Sequence, residues 1–366
     1  MKKKKIISVV GARPNFMKIA PIYKAFKNYS DVEHRLCHTG QHYDEKMSKI
    51  FFEELELPKP DFYLGVSAGT MTEQTANIMI EFEKVILSEK PDLVIVVGDV
   101  TSTIACSLVA QRHGIPKAHV EAGLRSFDRT MPEEINRILT DSISDYLFVT
   151  EQSGVVNLKN EGVPEEKIFF TGNVMIDSLM QYIEKAKHST ILEQLKLQPQ
   201  QYTLVTLHRP RNVDSVEELK NIVSMLNALA KKSNIVFPVH PRTRKNLESA
   251  QLLQQFDDGI IITEPIGYID FLSLIQHALL IITDSGGIQE ETTFLGVQCL
   301  TARDNTERPS TVELGTNQLI GTNWDSIYDA SLQVLSGNKK SGTIPELWDG
   351  KAAERIAKIL HQKLLY

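Results

Sequence analysis

Apolar and polar positions along the chain follow two alternating rhythms. Short runs rich in Val, Ile and Leu are separated by longer segments in which apolar residues return every three or four positions. The first rhythm predicts strands buried on both faces and the second predicts helices covering them, which together make a parallel α/β sheet. Strands are expected at residues 6–10, 33–38, 93–98, 118–121, 146–150 and 168–171, with a second series at 203–207, 235–239, 260–263, 279–283 and 298–300. Helices are expected at 16–28, 72–87, 103–113, 132–144, 216–231, 271–277 and 288–295. Between the two series, residues 173–201 begin with helical period and end in the polar run Gln198-Pro199-Gln200-Gln201. The expectation is two doubly wound domains, 1–172 and 173–350, facing across a cleft, plus an amphipathic last helix that could pack on either.

Length agrees, since 366 residues at roughly 150 per domain suggest two. Forty Lys and Arg against 46 Asp and Glu give a net charge of -6. No overall basic field exists, so nucleic acid is not an expected partner. Cysteine occurs only at 37, 106 and 299, a spacing that fits neither a disulfide framework nor a metal knuckle, and a reducing cytoplasm is expected. The lysine-rich start imitates a secretory signal, but Arg13-Pro14-Asn15 and Lys18 break the apolar run that follows. No stretch approaches the ~20 apolar residues of a bilayer span, so no membrane partner is expected.

Ligands of doubly wound sheets bind beyond the carboxyl ends of the strands, where this chain gathers its polar groups. Gly11-Ala12-Arg13-Pro14-Asn15-Phe16-Met17-Lys18 follows the first strand and combines a glycine, a proline and two cations at a helix start, the ingredients of an anion site. Asp99 follows another strand and Glu121 closes the next, with Arg125 as a nearby structural partner; Glu133 lies in Pro132-Glu133-Glu134-Ile135-Asn136-Arg137. These three carboxylates are the acid–base candidates. His208, followed by Arg209, and His240 each come after a strand and read as donors to a phosphate or leaving group. Neither shows metal-ligand spacing, and no metal is expected. Ser285-Gly286-Gly287 opens a further helix as a second anion contact, with Glu290 and Glu291 in its first turn, where a carboxylate could meet a ribose.

Taken together, residues 11–18, Gly98-Asp99, 119–125, 132–137, His208-Arg209, 283–291 and 306–309 resemble the non-hydrolysing UDP-N-acetylglucosamine 2-epimerases, in the same order from about residue 6 to 321. The resemblance implies the glycosyltransferase-B architecture of two Rossmann-like domains, with a last helix, 351–366, crossing back to the first. It also implies an isomerase that interconverts UDP-N-acetylglucosamine and UDP-N-acetylmannosamine by anti elimination and syn re-addition of UDP through a 2-acetamidoglucal, with no cofactor. Arg13 and Lys18 would contact the phosphate side, Asp99, Glu121 and Glu133 would transfer protons, and His208 would sit near the diphosphate. Ser285, Gly286 and Gly287 would hold phosphate, Glu291 the ribose, Phe271 the uracil region and Arg308 the nucleotide. A homodimer serving cell-surface polysaccharide synthesis is implied as well.

Some members use a Gln-x-x-Gln segment and an Arg-Gln or Arg-Glu pair to bind a second substrate molecule as activator. Here those stretches read Gln41-His42-Tyr43-Asp44 and Ser67-Ala68-Gly69-Thr70, so activation is not expected. Residues 38–43, 123–129 and 240–244 also resemble 2-epimerases of UDP-2,3-diacetamido-2,3-dideoxy uronic acids, the alternative substrate. A glycosyltransferase of the same fold, or a nucleotide-sugar sensor, would share the phosphate contacts but would not need the carboxylate set.

Overall fold

The computed structural model describes residues 3–40, 55–67 and 69–365, the side chain of Arg13 excepted. Residues 41–44 and Ala68, invoked above for the activator segment, lie outside this set. The chain divides into two compact units, Met1–Ser178 with Glu346–Tyr366, and Leu179–Pro345.

The first unit is a seven-stranded sheet of β1 (Lys4–Val10), β2 (Val32–His38), β3 (Phe62–Tyr63), β4 (Leu93–Val97), β5 (Lys117–Ala122), β6 (Tyr146–Val149) and β7 (Ile168–Phe170). Its order is β3-β2-β1-β4-β5-β6-β7, every pair parallel. β4, Leu-Val-Ile-Val-Val, is buried at every position, as a strand covered by helices on both faces must be. The second unit holds β8 (Tyr202–Thr206), β9 (Asn234–Pro238), β10 (Ile260–Thr263), β11 (Leu280–Thr283), β12 (Gln298–Thr301) and β13 (Asn317–Leu319), parallel in the order β10-β9-β8-β11-β12-β13. In both sheets the strand order reverses once, between β1 and β4 and between β8 and β11. Such a reversal leaves a crevice at the strands' carboxyl ends.

Two strands exceed the sequence expectation, β3 and β13. Each is an edge strand of two or three residues without an apolar run, and β13 begins with Asn317, whose side chain bonds Gln289 and Thr311. Helices Arg13–Phe26 and Gly286–Leu295 start earlier than their apolar period indicates, because their first turns consist of Arg-Pro-Asn and Gly-Gly. Among the described residues no helix is long and apolar enough to cross a membrane.

Helix Arg13–Phe26 contains Pro21, which has no N–H for the carbonyl four residues earlier. That carbonyl belongs to Met17 and accepts instead from Ser178 Oγ on helix Val174–Ala186. Nearby, Asp177 caps the last helix, Ala352–Leu365, accepting from the Ala352 and Ala353 amides at 3.2 and 2.7 Å.

Candidate active site

In the first unit, the crevice between β1 and β4 is framed by backbone that only small residues fit. A Cβ at Gly11 would stand 2.2 Å from Ser102 Oγ, and one at Gly98, itself at φ +65°, would stand 3.1 Å from Lys18 Nζ. Asn15 Oδ1 accepts from the Gly11 and Ala12 amides at 3.0 and 2.9 Å. Those two amides are therefore engaged within the turn itself. Lys18 projects inward, 6% exposed, and pairs with Glu121. The Arg13 side chain lies outside the described set.

Glu121 occupies a distinctive backbone position. It is 2% exposed, its φ is +76°, and the β5–β6 register shifts between Val120 and Ala122, so the residue sits on a bulge in the left-handed region. Bulges re-aim a side chain, and strain of this kind persists where the surroundings over-determine it. The partner expected from local sequence, Arg125, instead meets Asp141 and Glu161, both at 2.7 Å. Asp99 Oδ2 accepts from Arg137 at 2.5 Å, and the Asp99 carbonyl accepts from Asn136 Nδ2 at 2.8 Å. Arg137 in turn bonds Glu134 Oε2 at 2.6 Å.

The two neighbouring glutamates of helix Pro132–Ile143 divide sharply. Glu134 is buried and accepts from Ser126 N, Ser126 Oγ and Phe127 N. Burial raises its carboxyl, but these amides and Arg137 hold it below the ordinary range. Glu133 is half-buried, and among the described residues it has no hydrogen-bond or ion-pair partner. Glu134 is thus tied into the surrounding structure, whereas Glu133 is not.

The crevice between β8 and β11 in the second unit centres on Asp284, which directly follows β11 and has no role assigned from sequence. It is fully buried and accepts from the His208 and Arg209 amides, from Asn212 Nδ2 at 3.0 Å and from His208 Nδ1 at 2.8 Å. Burial pushes this carboxyl up, yet His208, the Arg209 amide and Asn212 hold it below the ordinary range. Because the carboxylate only accepts, Nδ1 carries the hydrogen, and the His208 side chain is 40% exposed. A signal was available in Thr283-Asp284-Ser285, an acid directly after a strand, as with Asp99. His240, exposed, caps helix Pro241–Ser249 and packs on His208 at 5.4 Å between ring centroids.

Helix Gly286–Leu295 begins with Ser285 as N-cap, and the Ser285 side chain makes no capping bond. Arg308 lies against this turn; a Cβ at Gly286 would stand 2.4 Å from its Nη1. The guanidinium is 5% exposed, bonds Glu290 Oε1 at 2.7 Å and also meets Glu307. Glu307, raised by burial, is held well below the ordinary carboxylate range by Arg308 and Arg303. Arg209 Nε donates to the Asp284 carbonyl at 2.9 Å, and Glu291 Oε1 accepts from Tyr268 at 3.0 Å. His208, Arg209, Ser285, Gly286 and Arg308 are thereby gathered around one crevice. Phe271 is half-buried against the core formed by Ile191, Leu197, Leu274 and Ile275.

The UDP-N-acetylglucosamine 2-epimerase family model matches residues 24–361. The chain belongs to this family. A UDP-N-acetylglucosamine 2-epimerase of Methanocaldococcus jannaschii is 45% identical over 363 residues, 97% of this chain and 98% of the relative. A UDP-2,3-diacetamido-2,3-dideoxy-D-glucuronate 2-epimerase of Pseudomonas aeruginosa is 41% identical, covering 97% and 99%. Among solved structures, the M. jannaschii epimerase in complex with UDP-GlcNAc and UDP superposes with a TM-score of 0.92 at 46% identity, over 98% of this chain and 99% of that one. The fold is thus the glycosyltransferase-B-like class of this epimerase family, built of two Rossmann-like units.

Proposed function

We propose that this family member interconverts UDP-N-acetylglucosamine and UDP-N-acetylmannosamine. The observation that carries the reading is Glu121: an acid on a left-handed bulge, out of water, paired with Lys18 and next to the Gly98-Asp99 turn. Elimination takes the proton from carbon 2 and breaks the anomeric C–O bond, leaving a C1–C2 double bond and free UDP. Re-addition delivers a proton to the opposite face of carbon 2 while a UDP oxygen closes on carbon 1. Inversion therefore needs acid–base groups at one ring, and Asp99, Glu121 and Glu133 of the first unit supply them. Lys18 holds Glu121 in place, and Arg13 is assigned to the phosphate side.

The departing diphosphate gains negative charge as the bond breaks, so donors that are already oriented lower the barrier most. His208 Nε2, the Ser285-Gly286-Gly287 turn and Arg209 fill that role in the second unit, with His240 beside His208. Glu291 meets the ribose, Phe271 the uracil side, and Arg308 shapes the turn from behind Gly286. The reading needs no redox cofactor or metal. It extends to a cytoplasmic homodimer supplying an N-acetylmannosamine donor for cell-surface polysaccharide, and gel filtration that gave a single chain's mass would remove the dimer.

Incubating the protein with UDP-N-acetylglucosamine in deuterium oxide and following proton NMR tests the reading. A manno anomeric signal with deuterium at carbon 2 is expected. If only the UDP-2,3-diacetamido uronic acid turns over, the alternative substrate replaces this one; free sugar without carbon-2 label would point to hydrolysis.

A further inference from the structure

Helix Pro132–Ile143 brings to β5 one more carboxylate, which the reaction above does not use. Asp141 is 2% exposed; its Oδ1 meets His119 Nδ1 at 2.6 Å and its Oδ2 accepts from the Gly123 amide at 3.0 Å. His119 and Gly123 stand two residues before and two residues after Glu121. One side chain therefore grips both flanks of the left-handed bulge. The other ring nitrogen of His119, Nε2, donates to the Gly98 carbonyl at 2.8 Å, and Gly98 immediately precedes Asp99. Backbone on the far side is pinned too, since a Cβ at Gly123, φ +79°, would stand 2.4 Å from the Gly154 carbonyl oxygen. Burial raises the Asp141 carboxyl, but His119, Arg125 and the Gly123 amide together hold it below the ordinary range.

We propose that Asp141 is a positioning residue for the epimerisation: through His119 and Gly123 it fixes the backbone from which Glu121 and Asp99 act. The inference rests on the epimerase reading. Its physical basis is that β5 without the clamp has an unstrained alternative. Removing the bulge shifts register by one residue, and a one-residue shift turns a side chain to the opposite face of the sheet. Glu121 would then leave both Lys18 and the substrate.

Asparagine and alanine at this position separate geometry from bulk. In Asp141→Asn, the side-chain oxygen still accepts from Gly123 while its NH2 faces His119 Nδ1, and Nε2–H still reaches the Gly98 carbonyl. In Asp141→Ala both flanks are released. Carbon-2 deuterium exchange and epimerisation are measured for both variants, alongside binding of UDP and thermal melting. We expect Asp141→Ala to bind UDP as the wild type does, to keep its KM, and to lose kcat for exchange by at least about 100-fold, since a displacement of only ~1 Å at a reacting group already costs that much. Asp141→Asn should recover most of that loss. A folded Asp141→Ala protein that exchanges at the wild-type rate overturns the proposal, as does an Asp141→Asn protein as slow as the alanine variant. Should Asp141→Ala fail to fold, His119→Gln keeps a donor for Gly98 and cuts the link to Asp141; a kcat loss at constant KM supports the proposal, and full activity overturns it. Absence of carbon-2 exchange in the wild type would instead remove the epimerase reading itself.

Discussion

Glu121 is a non-glycine residue at φ +76° whose side chain is 2% exposed, and each condition costs free energy separately. The backbone alone accounts for about 1–3 kcal/mol. Lys18 offsets the desolvation of the carboxylate, and removing either member deprives the other of this buried ion pair. Either Lys18→Met or Glu121→Gln should therefore lower unfolding free energy by about 3–5 kcal/mol in urea melts, while the double variant recovers most of it and remains inactive. Losses in the two single variants that simply add in the double variant would show that the pair is not energetically coupled. Sequence made the chemistry of these residues legible but not their partnership. Lys18 and Glu121 are far apart along the chain, and the nearby cation Arg125 was the natural local choice; it went instead to Asp141 and Glu161. The same limit hid Asp284, whose importance comes from four donors contributed by residues more than seventy positions away.

Elements were more legible than contacts. Every expected strand exists, because a run of Val, Ile and Leu buried on both faces has no other comfortable conformation in a layered α/β unit. β3 and β13 escaped because pairing with a neighbour, not an apolar run, defines them. Pro21 shows an element depending on a distant side chain. Ser178→Ala should leave the Met17 carbonyl buried without its donor and cost about 1–3 kcal/mol in denaturant melts. Adding Pro21→Ala returns an N–H to that carbonyl, so the double variant should regain the loss. If Ser178→Ala costs the same in both backgrounds, the hydroxyl is not the substitute for the missing amide.

For the whole molecule, buried acids give opposing pH dependences. Asp141, Asp284 and Glu307 have carboxyls held below their ordinary range, so what they contribute is present above the unfolded pKa and is lost as pH falls through the folded one. Asp177 has the opposite sign. Burial pushes it from 3.8 up to about 6, against the opposing amides of Ala353 and Ala352. Its contribution is complete below 3.8 and is lost as pH rises through about 6. Asp177→Asn should therefore gain stability relative to the wild type between those two pH values and hold a constant difference above them. Urea midpoints measured across that range check this; a difference that stays flat with pH would mean the carboxyl is not raised.

The sheets also end in a particular way. Their outer strands β3, β7, β10 and β13 have two, three, four and three residues. A bare ladder that short offers a foreign polypeptide few consecutive amides and carbonyls to dock on. Margins this short give the sheets of the described residues little purchase for edge-to-edge growth into fibrils.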